Sequence, residues 1–181
     1  MQLTLESCEV RSWRPSDVDS LARYANNRSI WLNLRDVFPH PYTRRDARDF
    51  IRGIRQRTPE TTFAIAVNDE AVGSIGFVLH PDVERVSAEI GYWLAEPFWG
   101  RGLTTQALIA VTAYAMRTHG LTRVYAVPFA WNTASCRVLD KAGYVMEACL
   151  RYSAIKDGRL TDQMQYARIT DANPLRGETP D

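Results

Sequence analysis

The sequence predicts an α/β fold of the mixed α+β kind: a mostly antiparallel central sheet completed by a β-α-β-α-β crossover unit, with helices on both faces. Three observations carry this expectation. Residues 61–67 and 71–79 are strand-like runs joined by Asn68-Asp69-Glu70, a hairpin signal, and a third run at 86–94 extends them into a meander. From that third run onward, strand and helix patterns alternate. Two amphipathic helical segments precede the meander and supply apolar stripes to cover a sheet. With 181 residues, 45% hydrophobic and 24% charged, the chain can bury one substantial core, and pervasive disorder is excluded.

The elements follow in order. Residues 15–26 place Val18, Leu21, Ala22 and Ala25 at helical spacing behind a Ser16-Asp17 start signal. Residues 43–57 form a second helix, with Ala47, Phe50, Ile51 and Ile54 on one side and Arg44, Arg48, Arg52 and Arg55 on the other. That arginine stripe reads as a solvated face. The connection between the helices, with Trp31, Phe38, Pro39, Pro41 and Tyr42, is too rich in large rings for a plain solvated loop. After the Pro81-Asp82 turn and the 86–94 strand, the chain passes through Gly100-Arg101-Gly102 into a long helix closing at Gly120. A short strand at 123–127, a helix at 132–142 closed by Gly143 and a strand at 144–152 complete the crossover unit. Lys156-Asp157-Gly158 turns the chain into a last strand, 160–169. Residues 1–170 are expected to form a single domain and 171–181 a flexible tail.

Lys plus Arg (22) nearly balance Asp plus Glu (21), so the molecule has no overall field for holding nucleic acid or an anionic membrane. The longest charge-free stretch, residues 102–116, is too short to span a bilayer, and no leader is visible. A cytoplasmic protein is expected. Cys8, Cys136 and Cys149, with His40, His80 and His119, show no metal-ligand spacing, so reduced thiols and no metal are expected.

The segment Trp99-Gly100-Arg101-Gly102-Leu103-Thr104-Thr105 lies where a strand gives way to a helix. Glycines there let backbone approach a ligand closely, and the first helical N–H groups lack partners and favour an anion. A tight turn alone also accounts for two glycines. A P-loop needs a lysine absent here; the dinucleotide fingerprint needs Gly or Ala where Thr105 stands and an acidic residue where Pro128 stands.

Together, Glu89-Ile90-Gly91-Tyr92-Trp93-Leu94, Pro97-Phe98-Trp99-Gly100-Arg101-Gly102, Asn132-Thr133-Ala134-Ser135 and Lys141-Ala142-Gly143-Tyr144 resemble the GNAT acyltransferases. The resemblance runs from Arg11-Ser12-Trp13-Arg14-Pro15 to Tyr166 and is nearest the branch that acetylates N-terminal amines of ribosomal proteins. The family's [QR]-x-x-G-x-[GA] signature keeps both glycines here but has Pro97 at its first position. The resemblance implies acetyl coenzyme A as acetyl donor, its pyrophosphate on the backbone of Trp99, Gly100, Arg101, Gly102, Leu103 and Thr104. It further implies a V-shaped gap between the strands at 86–94 and 123–127, with pantetheine paired to backbone near Trp93 and Leu94 and contacted by Asn132.

Transfer from a thioester to an amine needs a neutral amine, a polarised carbonyl and a stabilised thiolate. An α-amine near pKa 8 is roughly a tenth neutral at pH 7, whereas a lysine near 10.4 lies about 3.4 kcal/mol further from deprotonation. A peptide N-terminus is therefore the expected acceptor. Small-molecule amines, or a non-catalytic acyl-coenzyme A sensor, remain alternatives. Glu89 is the candidate base: a carboxylate in a central strand is costly unless it faces water or a partner, and burial would raise its pKa towards usefulness. A carboxylate tied to a backbone or arginine donor is the other reading. Ser135 is the candidate hydrogen-bond partner of the thiol, since Leu139 stands where many relatives have a tyrosine; support of the helix start is its alternative role, as it is for Asn132. Trp31, Phe38, Tyr42 and Tyr92 are candidates for lining the acceptor mouth, with core packing as the other reading for the first three. No membrane or nucleic-acid partner is expected, and a monomer or a homodimer fits.

Overall fold

A computed structural model describes residues 1–170; the expected 171–181 tail lies outside the described residues. Eight strands form one sheet in the order β1-β2-β3-β4-β5-β6-β8-β7. They are β1 (Gln2–Thr4), β2 (Glu9–Ser12), β3 (Thr62–Val67), β4 (Glu70–Leu79), β5 (Ser87–Leu94), β6 (Arg123–Ala126), β7 (Val145–Lys156) and β8 (Arg159–Ile169). Every neighbouring pair is antiparallel except β5–β6, which is parallel because α4 (Leu103–His119) carries the chain across. The other helices are α1 (Val18–Ala25), α2 (Arg28–Trp31), α3 (Arg44–Arg55) and α5 (Thr133–Lys141).

Both tight hairpins rest on residues that tolerate positive φ. Asn68 (49°) and Asp69 (67°) join β3 to β4, and Asp157 (52°) and Gly158 (72°) join β7 to β8, matching the two-residue turns that suit strand twist. The central strands β3 and β4 are buried on both faces. Phe63, Ile65, Ile75, Ala88, Ile90 and Leu94 pack with Leu108, Val111 and Ala115 of α4, whereas Ala64 and Ala71 meet Leu21 of α1 and Ile51 and Ile54 of α3. α3 starts on a capping box, Thr43 Oγ1 accepting from Asp46 N (3.2 Å) while Asp46 accepts from Thr43 N (2.8 Å).

The expected elements are present with shifted ends. The first helix opens with a 3-10 turn at Pro15–Asp17, and β7 runs four residues beyond the expected end at 152. Strands β1 and β2 and helix α2 were not expected from the sequence. β2 is secured by Arg11, which is buried and donates two hydrogen bonds to the buried Asp17 carboxylate (2.8 and 2.9 Å).

Candidate active site

The sheet is open at its centre. β5 and β6 pair over only three positions, Ser87 with Arg123, Ala88 with Val124 and Glu89 with Tyr125. Beyond these, β5 continues to Leu94 along β4, while β6 ends at Ala126 against β8. The main chain of β5 past Glu89 is thus free on one edge. Ala95 N donates to Val72 O (2.8 Å), which fixes the alternation: Gly91 and Trp93 turn their backbone groups towards β4, Tyr92 and Leu94 turn theirs into the opening. The Leu94 carbonyl accepts from Trp99 Nε1 (2.7 Å), leaving the N–H of Leu94 and both groups of Tyr92 for another partner.

A cavity of about 740 Å³ fills this opening, within the range of ligand sites. At one end stands the turn into α4. Gly100 (φ 76°) and Gly102 (φ 77°) are left-handed, a backbone state in which a side chain would be strained. Gly102 is the helix cap and supplies no side-chain acceptor, so the first N–H groups of α4 have no partner within the helix start and border the cavity. Arg101 folds back, donating to Pro97 O (2.9 Å) beside the Phe98 ring. This end suits a diphosphate: the donors are main-chain, without a side-chain cap and at the positive end of a 17-residue helix.

The opening has two chemically different walls. Alternation along β5 sends Ala88, Ile90 and Leu94 into the core under α4, and Tyr92 towards α5. Asn132 caps α5, its side chain accepting from Ser135 N (3.1 Å), and Ser135 Oγ lies 2.9 Å from the Tyr92 hydroxyl. Burial pushes the Tyr92 phenol well above its ordinary pKa. Glu89, Gly91 and Trp93 face the α1–α3 side. A Cβ on Gly91 would touch nothing within 4 Å, so its missing side chain keeps this wall open. Glu89 is 26% exposed and ion-paired with Arg35 from the loop after α2, the arginine-tied carboxylate that was the other reading of this residue, and the burial that would have raised its pKa is only partial.

Of the sequence candidates, Glu89, Tyr92, Trp93, Leu94, Trp99, Gly100, Arg101, Gly102, Leu103, Thr104, Asn132 and Ser135 all border this cavity. The backbone of Trp93, expected to pair with pantetheine, is instead turned to β4, because strand alternation leaves Tyr92 and Leu94 facing the opening. Tyr92, expected at the acceptor mouth, joins Ser135 on the α5 wall instead. Trp31, Phe38 and Tyr42 are absent from the cavity wall, for reasons of packing. Phe38 and Tyr42 stack at 4.8 Å in the core under α1 and α3, with Trp93 beside Phe38. Trp31 lies beneath the Lys156 ammonium (3.7 Å). Residues that sequence reasoning missed include Arg35, Asn33, Phe129 and Trp131, the last donating from Nε1 to Asn33 Oδ1 (3.2 Å) across the mouth. The one available signal was the aromatic run Phe129-Ala130-Trp131 just ahead of Asn132. Among the described residues no group of three His, Cys, Asp or Glu could hold a metal ion, and no helix is long and apolar enough to cross a membrane.

The family profile of the acetyltransferase (GNAT) domain matches residues 8–145, and the chain belongs to that family. Over 92% of its length it is 29% identical to the ribosomal-protein-serine acetyltransferase of Escherichia coli K12, covering 95% of that protein. An uncharacterized N-acetyltransferase, p20, of Bacillus licheniformis is 30% identical over the same shares of the two chains. Among solved structures, RimL, a ribosomal L7/L12 alpha-N-protein acetyltransferase in complex with coenzyme A, superposes with a TM-score of 0.85 at 24% identity, covering 96% of this chain and all of that one. That last likeness is one of fold.

Proposed function

We propose that this acetyltransferase modifies the N-terminal α-amine of a protein or peptide, with acetyl coenzyme A as donor. The observation that carries the reading is the opening past the Glu89–Tyr125 pair, with unpartnered helical N–H groups at one end and two unlike walls, Glu89 on one and Ser135 on the other. The full-length likeness to a ribosomal-protein-serine acetyltransferase supports a protein N-terminus as acceptor. So does the chemistry, because an α-amine needs the least help from a base.

When bound, acetyl coenzyme A supplies the acetyl group as a thioester. The main chain from Trp99 to Thr104 holds its diphosphate, and the free groups of Tyr92 and Leu94, with Asn132, orient the pantetheine. Glu89 accepts the proton that the acceptor ammonium gives up, directly or through a water, so that a neutral nitrogen faces the thioester carbonyl. Ser135 donates a hydrogen bond to the sulfur as the carbon–sulfur bond breaks and the carbon–nitrogen bond forms, and the second proton shed by the nitrogen ends on the departing thiolate, which leaves as the coenzyme A thiol. Trp93 lines the acceptor side, with Phe38 and Tyr42 packed behind it.

Thiol release from acetyl coenzyme A, followed with a panel of peptides and small amines, tests this. Peptides with free N-termini are expected to turn over and N-acetylated ones not. Glu89→Gln is expected to lower kcat by a factor of about 100, typical for loss of a general base, with coenzyme A affinity unchanged. Turnover confined to small amines would move the acceptor class, and binding without release for every acceptor would leave a sensor.

A further inference from the structure

The ion pair at the acceptor wall carries a consequence for substrate choice. The charged side chains around the cavity are Arg35, Glu89, Arg101, Arg137 and Lys141. Arg101 is bonded to Pro97 O at the turn into α4, and Arg137 and Lys141 lie on α5. Among the described residues Glu89 is therefore the single anion in the wall, and Arg35 holds it.

The loop that presents Arg35 is fixed on both sides. Asp36 accepts from Lys156 Nζ (2.7 Å), an ammonium at the tip of the β7–β8 hairpin that is only 1% exposed. Trp31 lies under that same ammonium, Arg28 bonds Asp157 of the hairpin turn (2.7 Å), and Asn33 bonds Trp131. The Arg35 side chain, by contrast, is 68% exposed and has room to turn. Its backbone is held while its guanidinium can move.

Arg35 touches Oε1 of Glu89 alone, so an acceptor ammonium engages the carboxylate through Oε2 or by displacing the guanidinium, and either way two cations then share one negative charge. A neutral or basic acceptor then leaves the guanidinium facing water or a like charge. An acceptor with a carboxylate a few ångströms from its amine receives the guanidinium, and the planar fork of arginine suits a carboxylate bidentately. One ion pair is exchanged for two without a charge left over. An extended chain advances about 3.3–3.6 Å per residue, so the carboxylate within reach belongs to the second or third residue of the acceptor. We infer that Arg35 selects N-termini with an acidic residue at the second or third position, an inference that rests on the peptide acceptor proposed above.

The test uses amidated hexapeptides in two series, identical except for Asp, Asn or Lys at the second or at the third residue. They are assayed by kcat/KM with the wild type, Arg35→Gln and Arg35→Glu, and coenzyme A affinity is measured in parallel to show that each variant is folded. In at least one series the Asp peptide is expected to exceed the Asn peptide by about tenfold in the wild type. That ratio is expected to fall to near one in Arg35→Gln and to invert in favour of Lys in Arg35→Glu, and to shrink in the wild type as salt is raised. Ratios near one in both wild-type series, or a ratio that survives Arg35→Gln, overturn the inference while the peptide reading stands. Acetylation of small amines but of no peptide overturns both.

Discussion

The Ser135 hydroxyl has one proton, and its neighbour decides where that proton points. Tyr92 lies 2.9 Å away, and burial keeps its phenol protonated throughout the useful pH range. If the phenol donates to Ser135 Oγ, the serine proton is left for the sulfur. Tyr92→Phe is then expected to lower kcat by about fivefold, in line with roughly 1 kcal/mol for a lost hydrogen bond. In a Ser135→Ala background the same change is expected to cost nothing, because the tyrosine acts through the serine. A full Tyr92→Phe effect in that background contradicts the assignment. Residues of this kind differ in how far sequence reveals them. Glu89 stands out because a carboxylate is unusual in a central strand, and Gly100 and Gly102 because their work is done by backbone. Arg35 is silent in sequence: its partner lies 54 positions away, and only the path of the loop brings the two together. Trp31, Phe38 and Tyr42 illustrate the opposite difficulty, since a large ring in a loop satisfies core packing as well as it satisfies a substrate wall.

At the scale of elements, local signals name what local physics builds. The two tight hairpins, the glycine-closed α4 and the Asn132 cap of α5 were legible because turn and cap chemistry acts within a few residues. β1 and β2, of three and four residues, were not, because the pairing of β2 with β3, that of β1 with β2 and the buried Arg11–Asp17 contact create them. α3 offers a test of cap energetics. Thr43 Oγ1 is the main cause holding the Asp46 carboxyl below its ordinary value of 3.8, assisted by the Thr43 backbone N–H. A folded-state pKa lowered in this way contributes stability that is present above the ordinary value and lost as pH falls through the folded one. Thr43→Ala is expected to cost about 1 kcal/mol at neutral pH, as N-cap losses do. The difference from wild type in urea unfolding is expected to hold steady down to about pH 4 and to narrow below it, where Asp46 begins to take up its proton. A difference that widens as pH drops below 4 contradicts the cap account.

At the scale of the molecule, the sheet does two jobs with one feature. Its faces bury separate apolar sets under α4 and under α1 with α3, and the lost pairing between β5 and β6 turns the layer between them into a passage from one face to the other. The glycine turn into α4, the free edge of β5 and the Ser135 wall lie along this passage, and the Glu89–Arg35 pair borders it on the α1–α3 side, where the proposed function has the acceptor enter. The β7–β8 hairpin, through Lys156 and Asp157, ties the entrance loop down. The most direct test is amide hydrogen exchange, residue by residue, with and without saturating coenzyme A. The N–H groups of Tyr92 and Leu94 are predicted to slow at least tenfold on binding, while those of Gly91 and Trp93, already bonded to β4, change little. Unchanged exchange at Tyr92 and Leu94 in a protein that calorimetry shows to be saturated with coenzyme A would contradict the account.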